Sequence, residues 1–387
     1  MPAKSGMSRR GFVTAATLGA AAVMTFPRAT SIAATQPTDV PNEAPSPDAA
    51  EPLRLHRNES PYGLAPAADA ASQKTLATLA SRYPIEEPKA LQEAIAKRFG
   101  VDKEMVALGC GSIEILKMAT ETFCTPARPA VVAEPTFEAV VSYSRLMHSH
   151  AIKTPLTADY KHDLGRMAAH ARSGAGLVFM CNPSNPAGSY VAKDEVRSFV
   201  HRLPKHTVLL SDEAYFDYAL ATDYESCLGY VKDGLPVIVS HTFSKIYGMA
   251  GLRVGYAIGR KDLIARMTKR RLANNPNQIA TAAAFAALKS DDAFVDRIRR
   301  LNGEVRDYTE SKFRGLGLTP IPSQANFVMV GIGRPVKPLI EELKKRKVLV
   351  GREFPSMPNH MRVTLGTKDE MDRFFKEFQQ LMVTAVA

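Results

Sequence analysis

Four short apolar runs, each ending in polar residues, constrain this chain more than any other feature. Ala130–Ala133 runs into Glu134-Pro135-Thr136-Phe137, and Leu177–Met180 into Cys181-Asn182-Pro183-Ser184-Asn185-Pro186. Thr207–Leu210 runs into Ser211-Asp212-Glu213-Ala214-Tyr215, and Val237–Val239 leads towards Ser244 and Lys245. Stretches with helical spacing lie between them, at Ala139–Met147, Leu164–Ala171 and Asp194–Leu203. Uninterrupted apolar runs of this length suit strands buried on both faces. Their alternation with helices predicts an α/β fold with a mostly parallel sheet covered by helices. Ligands of such sheets sit beyond the carboxyl ends of the strands, so the strand exits are where chemistry is to be sought.

The last exit is the most informative. After Val239 the chain passes Ser244 and Lys245, turns through Gly248 and Gly251, and reaches Arg253. An amine beside a hydroxyl and a rigid guanidinium can bond covalently to a carbonyl cofactor while the other two groups hold its phosphate. Taken alone, Lys245 and Arg253 read equally well as a solvated loop pair, since lysine is mostly exposed. The other exits shift the balance. Asp212 follows Val208-Leu209-Leu210 directly. A carboxylate there is costly unless paired, and a protonated ring nitrogen is a fitting partner; a helix N-cap is the plain alternative. Tyr215 and Asn185 can both reach a phenolic oxygen, or serve packing and turn geometry alone. Phe137 can lie flat on an aromatic ring, or in the core. Upstream, the strand Val106–Leu108 and the turn Gly109-Cys110-Gly111-Ser112 open a helix, Ile113–Phe123. Its free N–H groups would form a second wall of one anion site.

At 387 residues the chain has room for two domains. The net charge of +11 includes Lys4, Arg9, Arg10 and Arg28 in the first 34 residues, which contain no acid. The remainder, +7 once those four are set aside, gives no nucleic-acid footprint. Cys110, Cys124, Cys181 and Cys227 match no metal-ligand spacing, and packing is their expected role; no metal site is expected. Residues 1–34 read as a targeting segment. Ser8-Arg9-Arg10-Gly11-Phe12 resembles the twin-arginine export signature, and the mildly apolar Val13–Phe26 follows. An uncut anchor or a chance arginine pair is the alternative. The export route predicts a periplasmic protein that meets the membrane only in transit. Residues 35–52, rich in Pro, Ala and Ser, read as a linker. Leu53–Pro66 is polar and Pro/Gly-containing, which argues against a buried element there. Helices are expected at Ala67–Leu79, Lys89–Phe99 and Lys261–Leu272, with a strand at Val254–Gly259. Gln278–Phe313 reads as a solvated helix pair leading to a second domain. That domain has strands at Asn326–Val330 and Arg362–Leu365 and an amphipathic closing helix, Lys368–Met382.

Taken together, Arg57-Asn58-Glu59-Ser60-Pro61-Tyr62-Gly63, Arg82-Tyr83-Pro84, Gly111-Ser112-Ile113-Glu114, Asn182-Pro183-Ser184-Asn185-Pro186, Asp212-Glu213-Ala214-Tyr215, Ser244-Lys245 with Arg253, and Met361-Arg362-Val363-Thr364-Leu365-Gly366 are familiar in order and spacing. Over about residues 53–385 the chain resembles the fold-type I, pyridoxal-phosphate-dependent class I and II aminotransferases, in particular their histidinol-phosphate aminotransferase-like branch. The resemblance implies an N-terminal arm (53–83), a large cofactor-binding domain (84–270) and a small C-terminal domain (271–387). It implies that Lys245 holds pyridoxal 5′-phosphate and shuttles a proton, and that Asp212 keeps the ring nitrogen protonated. Asn185 and Tyr215 would hold the ring oxygen, and Phe137 would stack on the ring. Gly111, Ser112, the Ile113 backbone, Ser244 and Arg253 would clamp the phosphate. Tyr83 would reach the cofactor of a second subunit in a homodimer. Arg362 would grip a substrate α-carboxylate, with Asn58 beside it. Arg352 stands where that branch places a contact to the substrate's distal group, and could meet a phosphate, a carboxylate or only water. Transamination between an L-amino acid and a 2-oxo acid is the expected reaction. Decarboxylation or Cβ-lyase chemistry on the same fold is the alternative.

Overall fold

The computed structural model describes residues 51–290 and 292–384. The expected targeting segment and nearly all of the expected linker lie outside the described residues. The strands are β1 (Leu53–Leu55), β2 (Val106–Gly109), β3 (Ala130–Glu134), β4 (Ala151–Pro155), β5 (Leu177–Cys181) and β6 (Val208–Asp212). They continue with β7 (Val237–Thr242), β8 (Gly255–Gly259), β9 (Thr319–Ile321), β10 (Phe327–Gly331), β11 (Val348–Val350) and β12 (His360–Thr364).

Seven of them form one sheet in the order β2-β8-β7-β6-β5-β3-β4. β4, β3, β5, β6 and β7 run parallel, and β8 runs antiparallel to both β7 and β2. The expected apolar runs are the central strands, and each is buried on both faces. Side chains alternate between faces as the pleat requires. Val131, Val178, Met180, Leu209, Val237 and Val239 enter one core, and Val132, Phe179, Cys181, Val208, Leu210 and Ile238 enter the other. Each fully buried aliphatic side chain contributes roughly 1.5–3 kcal/mol relative to exposure, so this double-sided burial holds the register firmly. The register pairs Cys181 with Asp212 and Asp212 with Ser240. The exits of β5, β6 and β7 therefore lie side by side along one edge.

A second, antiparallel sheet has the order β12-β10-β9, with Arg362 opposite Met329. Met361 and Val363 enter a core with Val328 and Val330, closed by Met371, Phe374, Phe375 and Phe378 of the helix Lys368–Thr384. Arg362 and Thr364, one residue out of phase, face the opposite way.

Several elements differ from the sequence expectation. Leu53–Pro66 does contain a buried element: β1 pairs in parallel with β11, and Leu53 and Leu55 are buried in the small core. Three residues carry too little pattern to announce a strand whose partner lies almost 300 positions away. Gln278–Ser290 is not a solvated helix. Ala280, Ala283, Ala284 and Ala287 are buried in the large core, and their small side chains give no strong amphipathic stripe. The next helix, Asp292–Gly315, does show a polar outer face, with Phe294, Ile298 and Phe313 turned inward. The helix starting at Lys261 ends at Thr268, short of Leu272.

Candidate active site

Lys245 lies in a turn that β7 delivers to the sheet edge. Gly248 N donates to Lys245 O at 3.0 Å and Met249 N to Phe243 O at 3.0 Å, closing the turn. Gly248 has φ 70°, and a Cβ there would stand 2.7 Å from the carbonyl carbon of Gly63. The segment after β1 thus lies directly on the turn. The Lys245 amine donates to Asn58 O at 2.9 Å and Arg57 O at 3.3 Å. Burial, and after it the positive charge of Arg362, lowers its pKa to about 8. An amine so placed is readily available in its neutral, nucleophilic form.

Asp212 ends β6. It is 2% exposed, and its Oδ1 has no hydrogen-bond partner among the described residues. Burial raises its carboxyl to about 7, opposed by the charge of His241. The next residue, Glu213, faces the other side of the sheet and is fully engaged. Its carboxylate accepts from Ser226 Oγ at 2.6 Å, Cys227 N at 2.8 Å and Ser211 Oγ at 3.0 Å, and lies 2.9 Å from His241 Nε2. His241 Nδ1 is 3.0 Å from Tyr256 Oη, and its ring stacks on Phe216 at 4.9 Å. Of two adjacent acids, one is satisfied by the protein and one is left for a ligand.

That difference has a thermodynamic consequence in the cofactor-free protein. An unfolded chain ionises this Asp near 3.8, whereas the folded one keeps it protonated to about 7. Its contribution to stability is therefore fully present below pH 4 and is lost as pH rises towards 7. Asp212→Asn should flatten that slope and unfold at higher urea than wild type at pH 8; equal urea midpoints at pH 5 and pH 8 for both proteins would contradict it.

The anion wall is built from two elements. The helix Gly111–Phe123 points its first turn at Arg253. Gly111 has φ 69°, and a Cβ there would stand 2.9 Å from Arg253 Cζ. Likewise a Cβ on Gly255 would stand 2.5 Å from Ser112 N. Arg253 itself takes φ 65° and donates to Ser244 Oγ at 3.1 Å and Ala250 O at 2.9 Å. Glu114, which sequence reasoning did not single out, ties the wall together. It accepts from Cys110 N at 2.6 Å and Leu272 N at 3.1 Å, and also from Asn275 Nδ2.

The opposite wall holds Asn185, Tyr215, Asn58 and Arg362. Asn58 Nδ2 donates to Tyr215 Oη at 3.0 Å, and Asn185 Nδ2 approaches the same oxygen at 3.4 Å. Arg362 Nη1 donates to Asn185 Oδ1 at 2.6 Å and Nη2 to His56 O at 3.0 Å, while its Nε has no partner among the described residues. Asn58, at φ 55°, is fixed by Thr364, whose Oγ1 donates to Asn58 Oδ1 at 3.1 Å, and by Asn326 Nδ2, which donates to Asn58 O at 3.0 Å. Sequence reasoning gave these two anchors no role of their own. Thr364 ends β12 and Asn326 immediately precedes β10, and only the folded chain places them here.

These residues enclose a cavity of about 1080 Å³, lined by Asn58, Ser112, Ile113, Phe137, Asn185, Asp212, Tyr215, Ser244, Lys245, Arg253, Arg352 and Arg362. Gly111 shapes it from behind. Tyr83 stands outside it, 76% exposed. Arg352 lines the cavity with its Nη2 2.6 Å from Glu138 Oε2. All four cysteines are free thiols; Cys124, Cys181 and Cys227 are buried and Cys110 partly so. A flat ring with a cationic nitrogen, a phenolic oxygen and a phosphate fits what is present. The unpaired Asp212 Oδ1 suits the nitrogen, the Asn185–Tyr215 pair the oxygen, and the glycine-floored pocket under Arg253 the phosphate.

Residues 50–378 match the family model for aminotransferase class I and II. The chain is 38% identical over 332 residues to a histidinol-phosphate aminotransferase of Moorella thermoacetica, covering 85% of each chain. It is 37% identical over 324 residues to one of Symbiobacterium thermophilum, covering 83% of this chain and 88% of that one. Among solved structures, a putative histidinol-phosphate aminotransferase from Erwinia carotovora atroseptica superposes with a TM-score of 0.83 at 27% identity, covering 86% of this chain and 97% of that chain. A histidinol-phosphate aminotransferase from Sinorhizobium meliloti in complex with pyridoxal-5′-phosphate gives a TM-score of 0.81 at 26% identity, covering 86% and 91%.

Proposed function

Because the chain belongs to the class I and II aminotransferases and its cofactor is pyridoxal 5′-phosphate, we propose that it is an exported, homodimeric enzyme that moves the amino group of a free L-amino acid to a 2-oxo acid. The bound cofactor supplies an aldehyde and an electron-withdrawing ring. The protein supplies everything else. Lys245 would hold the cofactor, and its amine would take and return the proton at the substrate Cα. Asp212 would keep the ring nitrogen protonated, each charge stabilising the other where water is excluded. Asn185 and Tyr215 would donate to the ring oxygen, and Phe137 would pack on the ring. Ser112, the Ile113 N–H, Ser244 and Arg253 would hold the phosphate.

One observation carries the choice of substrate: Arg362, a buried guanidinium with an unpaired Nε, shares the cavity with the Lys245 amine. Such a group is suited to a carboxylate bound by two parallel hydrogen bonds. The relatives named above are named for histidinol phosphate. The twin-arginine pattern at Arg9-Arg10 supports a periplasmic location for this chain. The exposed Leu76, Tyr83 and Ile85 support a subunit contact, with Tyr83 reaching the partner's cofactor.

The test is to offer the holoenzyme a panel of L-amino acids without acceptor. One equivalent of 2-oxo acid per subunit is expected from the true donor, with continuous turnover once a 2-oxo acid is added. Release of carbon dioxide in its place would overturn the reading. Arg362→Gln should lower kcat/KM for that donor by about 10²-fold, since truncating one partner of a buried charge pair costs roughly 2–5 kcal/mol; an unchanged kcat/KM would remove Arg362 from substrate binding.

A further inference from the structure

Among the arginines that line the cavity, Arg352 carries a charge that the function above leaves unused. Arg352 Nη2 lies 2.6 Å from Glu138 Oε2, its Nη1 donates to Glu353 O at 2.8 Å, and its guanidinium sits 4.3 Å over the Phe354 ring. That ring is shared, for the Arg362 guanidinium lies 5.2 Å from the same centroid. The two cations feel each other: burial and, after it, the charge of Arg352 hold Arg362 below the usual arginine pKa.

Two guanidinium groups against one ring create an ambiguity for any amino acid with a carboxylate at each end. Either end could occupy Arg362, and only one orientation presents the Cα to Lys245. Glu138 follows Phe137 directly, so the segment that lines the ring face also places a carboxylate on Arg352. We propose, resting on the aminotransferase reading above, that Glu138 is a specificity-determining residue: by holding the charge of Arg352 it directs the enzyme to amino acids whose side chain carries no anion. An anionic side chain must either displace Glu138 or lie beside it, and like charges set together in a partly desolvated site are disfavoured. A neutral aromatic side chain meets no such conflict and finds Phe354, Tyr143 and Ile340 on the cavity wall. Lys344 and Glu341, one charge of each sign, are both exposed on the same wall. Arg352 and Glu138 are each about half exposed, at 51% and 58%. Selectivity should therefore be graded and not absolute.

The experiment compares wild-type holoenzyme with E138Q, R352Q and the double variant. One readout is kcat/KM for aspartate and glutamate against phenylalanine and tyrosine. The other is the Kd of glutarate, a dicarboxylate that cannot react, measured by calorimetry. In E138Q the dicarboxylic-to-aromatic ratio of kcat/KM should rise about tenfold and glutarate should tighten by a similar factor, the size expected for releasing one partly screened charge. The double variant should lose both gains. A ratio and a glutarate Kd that stay within about twofold of wild type in E138Q would overturn the proposal, as would a wild-type enzyme that already prefers the dicarboxylic donors. If no amino acid yields a 2-oxo acid in wild type, the donor reading fails on its own, and glutarate binding still decides the role of Glu138.

Discussion

Lys245→Ala should bring amino transfer down by about 10⁴-fold, the upper range for a positioned general base, while the protein still binds pyridoxal 5′-phosphate without a covalent link. The two halves of this expectation come from different parts of the site. The amine is held against Asn58 O and Arg57 O with its pKa lowered to about 8. No other amine lines the cavity except that of Lys344, which is exposed. Nothing nearby can take over the proton transfer. The phosphate-holding groups, by contrast, hold one another: Arg253 binds Ser244 and backs onto Gly111 without help from Lys245. Stopped-flow measurement of 2-oxo acid release, with and without added methylamine, checks the assignment. A small amine should restore part of the lost rate if the missing group is a base. Retention of more than a tenth of wild-type turnover, or loss of cofactor affinity in step with activity, would count against the role given to Lys245.

Gly248→Ala should be the most damaging single-methyl change near the site, at about 3 kcal/mol of stability. Two costs act together. The residue sits at φ 70°, a left-handed conformation that costs an L-residue roughly 1–2 kcal/mol. Its new Cβ would also stand 2.7 Å from Gly63 C and 3.4 Å from Leu64 N, both backbone atoms that no rotamer change can move; overpacking of this kind costs typically 1–3 kcal/mol. If the strain is relieved by lifting the segment around Gly63, the carbonyls of Arg57 and Asn58 move off the Lys245 amine, and activity falls further than stability does. Gly251→Ala is the matched control, because nothing lies within 4 Å of a Cβ there and φ is not positive. Urea unfolding of the three proteins decides it; a Gly248→Ala midpoint equal to that of Gly251→Ala would show that the contact with Gly63 is not maintained in solution.

What the sequence disclosed follows from which contacts are local. Asp212, Asn185, Tyr215 and Lys245 could be found because each sits a few residues beyond an apolar run, and a parallel sheet brings such exits together. Their supports could not. Thr364 and Asn58 are 306 residues apart and no local pattern joins them. The bonds from Glu213 to Ser226 and His241 span 13 and 28 positions across the far face of the sheet, and in sequence Glu213 is merely a second acid beside Asp212. β1 and β11 are three residues each and acquire meaning only from one another. Burial of the Ala-rich helix Gln278–Ser290 is not legible in the sequence, because burial of small side chains depends on how closely a neighbour approaches, which composition does not report. Arg352 is visible in the sequence as a cation, but its partner Glu138 belongs to a different strand exit, so the pair can be seen only in the fold.

The two acids at the end of β6 also make the position of that strand self-checking. Side chains alternate across a sheet, so a slip of β6 by one residue against β5 and β7 would turn Glu213 towards the cofactor and Asp212 towards Ser226, Cys227 and His241. Aspartate is one methylene shorter and could not span the same donors, and the buried Val208 and Leu210 would exchange cores with Leu209. A one-residue slip thus leaves the donors around Glu213 unmatched on one face and misplaces apolar volume between the two cores. A nascent chain that reaches the wrong alignment has no stable resting place there, and it offers the cofactor the longer Glu213 where Asp212 belongs until the error is undone. Loading with pyridoxal 5′-phosphate then reports on correct assembly of the sheet as well as on chemistry.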